Sequence, residues 1–230
     1  MTVELQGAVP NSHHAVIILA AGLSTRLGTP KQLLCKHGQP LIEVMTKEAL
    51  KTNPAAVIIV SQNQSKNLAD VLTSLSKLSN RNYIVINRAP EKGMAQSLSL
   101  GVEALKTLAS SADIKRVLIL GIDQIHLDSA HLQELLTVKK VVGASSYPKD
   151  EAALINADDP RANIVGLPIA IDYAKLTPWQ DKLSGDKGLR ALIRSLDACQ
   201  IATVINPKLC YDIDTKAQLE AAQSKGWLDQ

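Results

Sequence analysis

An α/β fold, with a mostly parallel sheet covered by helices on both faces, is predicted by three observations. Short apolar runs recur along the chain, and segments with apolar residues at helical spacing alternate with them. The first run, Ala15 to Ala21, empties into a loop with Gly22 and Gly28 that carries Ser24, Thr25 and Arg26, with Lys31 just beyond. A short apolar run bounded by turn signals reads as a strand buried on both faces, the usual state of strands in parallel sheets. Alternation with helical segments supplies the crossovers that parallel pairing needs.

Taken in order, the strands are expected at 15–21, 55–60, 82–87, 116–123, 141–146, 163–171 and 201–206. The first helix starts with Pro40 at its first helical position and turns Leu41, Ile42, Met45 and Leu50 to one side. A second carries Leu68, Val71, Leu72, Leu75 and Leu78, and a third Leu98, Val102 and Leu105. Near the end of the chain Leu189, Leu192 and Ile193 face inward from a further helix. With no internal repeat, low-complexity tract or long linker, residues 1–230 read as one domain. Residues 1–13 form a flexible lead-in, with His13 and His14 as solvated residues before the first strand. The polar, turn-rich stretch 147–163 forms a surface excursion near the site.

Composition narrows the class of protein. With 46% hydrophobic and 20% charged residues, the chain has the balance of a soluble globular protein. A net charge of +3 with no basic block argues against a nucleic-acid partner. The chain has no Phe, so the core is built of Leu, Ile, Val and Ala. Cys35, Cys199 and Cys210 are odd in number and widely spaced, and read as buried free thiols of a reducing compartment. No signal peptide or membrane-spanning run is visible, so the expected location is the cytoplasm, with no membrane partner.

The first loop carries chemistry. Small residues let backbone N–H groups close around a phosphate, and Arg26 and Lys31 add cationic contacts. The loop lacks the GKS or GKT ending of a P-loop and the GxGxxG of a dinucleotide-binding turn. A second candidate is Asp123, at the carboxyl end of a predicted inner strand, where ligands bind in open α/β sheets. Thr215 with Gln218 forms a capping box, and Asp214 or Asp212 also suits that helix start. Gly93 permits close backbone approach, and Ser97 offers a hydroxyl early in a helix. In KLSGDKGLRALI, Asp186 can cap the helix and pair with Arg190 four residues on.

The stretch LAAGLSTRLGTPKQLL, 19–34, resembles the signature LAAGxSxRMGxxKxLL of the MobA-like nucleotidyltransferases. Within that superfamily it is most similar to the molybdenum cofactor cytidylyltransferases. Leu19, Ala20, Ala21, Gly22, Ser24, Arg26, Gly28 and Lys31 match, and Leu27 stands where the family has Met. RVLILGIDQIHL is similar to LxxxDQPxL, with Asp123 and Gln124 in register and Ile125 in place of Pro. YDIDTKAQL resembles DIDTPEDL, and EKGMAQSLSLG resembles GMxxSLxxG. KLSGDKGLRALI resembles LSGDKGARALL, while Gly166-Leu167-Pro168 matches GxP but lacks the Phe of GxPxxF.

The resemblance implies a three-layer α/β/α nucleotidyltransferase fold, Rossmann-like with a mostly parallel sheet. It also implies in-line attack by an acceptor phosphate on the α-phosphate of a nucleoside triphosphate, releasing pyrophosphate. Arg26, Lys31 and Asp123 would be the catalytic residues. Leu19, Ala20, Ala21, Gly22, Ser24, Gly93 and Ser97 would join them in holding the nucleotide. Asp123 with Asp214 would hold Mg²⁺, with Asp212 as the competitor of Asp214, and Asp186, Lys187 and Arg190 would lie on the acceptor side. The expected donor is CTP and the expected acceptor molybdopterin, with a molybdoenzyme or its chaperone as protein partner. The alternatives are GTP, another phosphorylated acceptor, or a non-catalytic nucleotide- or cofactor-binding module. The loop reads LAAG, where guanylyl-transferring relatives carry LAGG; a methyl at Ala21 would narrow the floor beneath a base and favour a pyrimidine.

Overall fold

Seven strands form one sheet in the computed structural model. The structure describes residues 13–62, 65–108, 113–149, 153, 163–183 and 188–230. The strands are β1 (His14–Ala20), β4 (Ala56–Ser61), β5 (Asn82–Ile86), β6 (Arg116–Leu120), β7 (Val142–Tyr147), β8 (Ile164–Asp172) and β9 (Ile201–Ile205). All seven fall where the apolar runs predict them. Two short strands, β2 (Cys35–Lys36) and β3 (Gln39–Pro40), pair as a separate hairpin that the sequence pattern does not announce. The hairpin turns through His37 and Gly38, both at positive φ. Pro40 therefore closes a strand, and the helix that follows starts one residue later than expected, at Leu41.

Pairing is parallel from β5 through β4 and β1 to β6, and again between β7 and β9. Strand β8 runs antiparallel to both of its neighbours. The helices are α1 (Leu41–Lys51), α2 (Lys66–Leu78), α3 (Met94–Thr107), α4 (Ser129–Thr137), α5 (Tyr173–Trp179), α6 (Gly188–Arg194) and α7 (Lys216–Ser224). Successive residues of β1 point to opposite faces. Val16 and Ile18 join Ile42 and Met45 of α1, Leu68 and Leu72 of α2, and Leu132 of α4. Ile17 and Leu19 join Leu98 and Val102 of α3, Leu176 of α5 and Leu189 of α6. The result is the three-layer α/β/α arrangement expected. Leu78, at the end of the α2 apolar stripe, is exposed.

Gly101 fixes how closely α3 lies on the sheet, since a Cβ there would stand 2.7 Å from Ile17 Cγ2 and 3.2 Å from Val60 Cγ2. A third apolar cluster lies outside the two faces and joins Leu27, Leu34, Leu41, Ile125, Ile213, Ala222 and Leu228. It docks α7 and the last residues against the first loop. Two positions that depart from the family signature, Leu27 and Ile125, thus sit together in packing and are 1% and 0% exposed.

Residues 1–12 of the expected lead-in, and 150–152 and 154–162 of the expected excursion, lie outside the described residues. Of the three cysteines expected to be buried, Cys210 is buried, Cys35 is half-buried and Cys199 is exposed. Among the described residues no helix is long and apolar enough to cross a membrane.

His14 departs from the solvated lead-in expected of it. It opens β1, and its Nε2 lies 2.9 Å from Thr52 Oγ1. Burial pushes its pKa down to about 4 from 6.5. In the unfolded chain the imidazole takes its proton as pH falls through about 6.5, whereas in the fold it does so only near 4. Stability held above pH 6.5 is therefore lost as pH drops between those values, by up to ~3 kcal/mol. Urea unfolding of His14→Gln at pH 7 and pH 4.5 is expected to show a smaller loss than the wild type. An identical loss in both proteins would assign the acid sensitivity elsewhere.

Candidate active site

The loop after β1 is shaped by Ser24. This residue takes positive φ (53°), and its carbonyl accepts from Leu27 N and Gly28 N, both at 3.0 Å. Its hydroxyl accepts from Lys31 N at 3.1 Å, which fixes where the lysine side chain departs. Gly28 adopts φ +76°, a region that favours glycine. Gly22 is exposed, and no atom lies within 4 Å of where its Cβ would be, so the backbone here faces open space.

Beneath the loop lies a clasp of buried amides. Gln32 Nε2 donates to Ala20 O at 2.6 Å and to Gly22 O at 3.2 Å, and Gln62 Nε2 reaches Gly22 O at 3.4 Å. Both glutamines are buried, at 0% and 3% exposure. A trans peptide points its C=O and the following N–H in opposite directions. Holding the carbonyls of Ala20 and Gly22 inward therefore turns the N–H groups of Ala21 and Leu23 the other way. The sequence reading missed both glutamines. The available signals were the position of Gln32 beside Lys31 and that of Gln62 at the end of an inner strand.

The aspartates meet the loop from two segments that the backbone joins. Gln124 and Asp212 form an antiparallel bridge, and Ile213 N donates to Asp123 O at 3.1 Å. In an extended segment alternate residues share a side. Asp212 and Asp214 accordingly lie on one side while Ile213 enters the third apolar cluster. Gly121 matters here, since a Cβ would stand 2.8 Å from Asp123 Oδ1.

Lys31 Nζ donates to Asp123 Oδ2 at 3.2 Å and also to Asp214 Oδ1. Arg26 Nη2 donates to the other oxygen of Asp214 at 3.1 Å. Burial would lower the Lys31 pKa, but Asp123 and Asp214 outweigh it and hold the ammonium above its ordinary value. Burial would likewise raise Asp214, but Lys31 and then Arg26 hold it below the usual carboxylate range. Asp212 is raised by burial and by the charges of Asp123 and Asp214, and its Oδ1 accepts from Gln218 Nε2 at 3.1 Å. Asp214, and not Asp212, therefore shares the lysine with Asp123.

The capping box of α7 is formed as predicted, with Thr215 and Gln218 bonded reciprocally. Gln218 Oε1 also accepts from Asp214 N at 3.0 Å, so the cap itself fixes the Asp214 backbone.

Tyr147 is a residue the sequence did not single out. Burial, then Asp123 and Asp212, push its pKa up to about 12, while Arg190 and the Gln124 side chain pull the other way. Its hydroxyl lies 2.9 Å from where a Cβ on Gly166 would be, which accounts for the glycine of the GxP match. Arg190 is exposed at this edge of the site, whereas Asp186 and Lys187 lie outside the described residues. Gly93, at φ +88°, caps α3. Ser97 is buried, and its hydroxyl accepts from Asn87 Nδ2 at 3.0 Å. Ala21 is only 2% exposed, so its methyl offers no open floor on which a base could rest. Steric base selection by that methyl is not supported.

Among the described residues no three His, Cys, Asp or Glu side chains form a ready-made ion cage. The donor set nonetheless suits one kind of metal. Mg²⁺ is commonly held by one or two carboxylates together with substrate phosphates and water. Asp123 and Asp214 supply two carboxylates that already converge on one cationic atom.

Comparison with known proteins gives the family and the fold of the chain. Residues 16–199 match the MobA-like NTP transferase domain, and the chain belongs to that family of nucleotidyltransferases. No curated protein matches the chain significantly in sequence. Among solved structures, the 4-diphosphocytidyl-2C-methyl-D-erythritol synthase of Anaerococcus prevotii is similar with a TM-score of 0.68 at 14% identity. That match covers 94% of this chain and 96% of the synthase. The bifunctional IspDF of Campylobacter jejuni gives a TM-score of 0.66 at 18% identity over 91% of this chain. The chain spans about half, 54%, of that protein's length. A manganese complex of Rv0371c from Mycobacterium tuberculosis gives 0.61 at 18% identity, over 91% of this chain and 97% of that one. At these identities the likeness establishes the fold.

Proposed function

We propose that the protein transfers CMP from CTP to the terminal phosphate of a phosphorylated acceptor, molybdopterin, and releases pyrophosphate. An acceptor phosphate oxygen attacks the α-phosphorus, and the bond from that phosphorus to the oxygen leading to the β-phosphate breaks. The acceptor phosphate is already ionised, so the protein needs no general base. The observation that carries the reading is the Lys31 ammonium held between Asp123 and Asp214, at the end of the loop in which the Gly22 backbone faces open space. Two cations and two carboxylates gathered beside a loop of small residues suit a polyphosphate and its counter-ion.

In this reading the loop N–H groups, aimed outward by Gln32 and Gln62, bind phosphate oxygens. Arg26, whose side chain is 71% exposed, is placed to stabilise charge on the departing pyrophosphate. Asp123 and Asp214 would hold Mg²⁺, which neutralises phosphate charge when bound. The manganese complex of Rv0371c supports a divalent ion here. Tyr147 and Arg190 stand where the acceptor would enter, with Asp186 and Lys187 assigned to the same side from the sequence. The cytidine preference rests on the resemblance of Leu19-Ala20-Ala21-Gly22 to the cytidylyl-transferring branch, without a steric role for the Ala21 methyl, and is in keeping with the diphosphocytidyl product named for the Anaerococcus neighbour.

The test mixes the protein with Mg²⁺, molybdopterin and each of the four common nucleoside triphosphates, and follows pyrophosphate. Release with CTP and molybdopterin together, and not with either alone, is the expected result. Faster release with GTP would replace the cytidylyl reading with a guanylyl one. Nucleotide binding without release from any triphosphate would indicate a binding module.

A further inference from the structure

We infer that Lys31 acts as a resident counter-cation, occupying the place between Asp123 and Asp214 so that a divalent metal enters only together with a triphosphate. The inference rests on the reading of those two aspartates as metal-binding carboxylates. Its basis is positional. One ammonium bonds both carboxylates at once, and the lysine side chain is 14% exposed while the carboxylates are 35% and 32% exposed. A metal held by the same two carboxylates would need the space that Nζ fills.

The Lys31 backbone is anchored by the hydrogen bond from Lys31 N to Ser24 Oγ. Only the four-carbon stem is free to swing. A metal arriving alone must displace an ammonium from two charge-assisted hydrogen bonds and then remain beside it, with like charges a few ångströms apart. A triphosphate on the Gly22 loop changes that balance. Its oxygens give the ammonium new acceptors, and both carboxylates are released together for the metal. Metal and nucleotide affinities are then coupled, and the coupling is reciprocal.

Arg26 supplies the internal comparison. It also bonds Asp214, yet to the outer oxygen and from an exposed position, so it contributes charge without filling the bridging place. Occupancy and net charge therefore make different predictions for the two residues.

The experiment measures Mn²⁺ binding by the electron paramagnetic resonance of free Mn²⁺, with and without CTP. Wild type should bind Mn²⁺ alone weakly and gain affinity with CTP beyond what Mn²⁺–CTP association in solution provides. Lys31→Met and Lys31→Gln, two neutral variants of different polarity, should each bind Mn²⁺ alone at least about tenfold more tightly than wild type. Lys31→Arg should stay within about threefold of wild type, and Arg26→Met should gain less than either neutral Lys31 variant. Asp123→Asn added to Lys31→Met should abolish the gain. If neither neutral variant binds Mn²⁺ more tightly, or Arg26→Met gains as much, the inference is overturned. Wild type that fails to take up Mn²⁺ even with CTP would instead overturn the metal assignment of Asp123 and Asp214.

Discussion

Asp123→Ala is expected to lower pyrophosphate release by about a thousandfold or more, which corresponds to ~4 kcal/mol of transition-state stabilisation. The side chain has one polar partner of note, Lys31 Nζ at 3.2 Å, and is 35% exposed. The Asp123 carbonyl, which accepts from Ile213 N, does not depend on the side chain. Lys31 keeps Asp214 as a partner in the variant, so no buried cation is left alone. The thermal unfolding midpoint should consequently stay near that of wild type. Asp123→Asn keeps the shape and removes the charge, and should fail as badly. Turnover near wild type in either variant would remove Asp123 from the chemistry.

Gln32→Ala is expected to raise the KM for the nucleotide by about tenfold or more, with a smaller change in kcat. Gln32 is fully buried, and its amide is the main partner of two inward-facing carbonyls, those of Ala20 and Gly22. Leaving a buried acceptor unmade costs roughly 1–3 kcal/mol, and the loop escapes that cost by rotating its peptides. Rotation turns the Ala21 and Leu23 N–H groups away from the cleft, which weakens binding of the whole triphosphate whatever its base. Gln62→Ala should do the same more mildly, because its contact with Gly22 O is longer, at 3.4 Å. A loss of stability with an unchanged KM would show that the clasp serves packing alone.

Much of the fold was legible because burial imposes a period. The run Ala15–Ala20 is apolar at every position since α1 and α3 cover opposite faces of β1, and the same logic located all seven strands. The reversed direction of β8 left no such mark, because a strand covered on both faces reads alike in either sense. The β2–β3 hairpin is too short to show alternation.

At the site, Arg26, Lys31 and Asp123 stand out from the residues around them and Asp214 from the family resemblance, and the structure brings their charged ends together. That Asp214 and not Asp212 shares the lysine with Asp123 shows only in a contact between residues 183 apart in sequence. Gln32, Gln62 and Tyr147 escaped notice because a polar side chain in a sequence carries no sign of being buried. The departures at Leu27 and Ile125 looked like damage to a motif, yet both are apolar neighbours in one cluster beneath the charged groups.

That cluster also dictates when the site comes into being. Lys31 and Asp214 are 183 residues apart, and Asp214 is brought in by a segment whose anchors, Ile213, Ala222 and Leu228, all follow the last strand of the sheet. The tail is sewn down further by Asp229, whose carboxylate accepts from His37 N and Gly38 N in the β2–β3 hairpin. During synthesis the sheet can therefore pair while Lys31 has only Asp123 to hold. The segment after β9 is thus the keystone of the loop after β1, and Lys31 gains its second carboxylate only once that segment has docked.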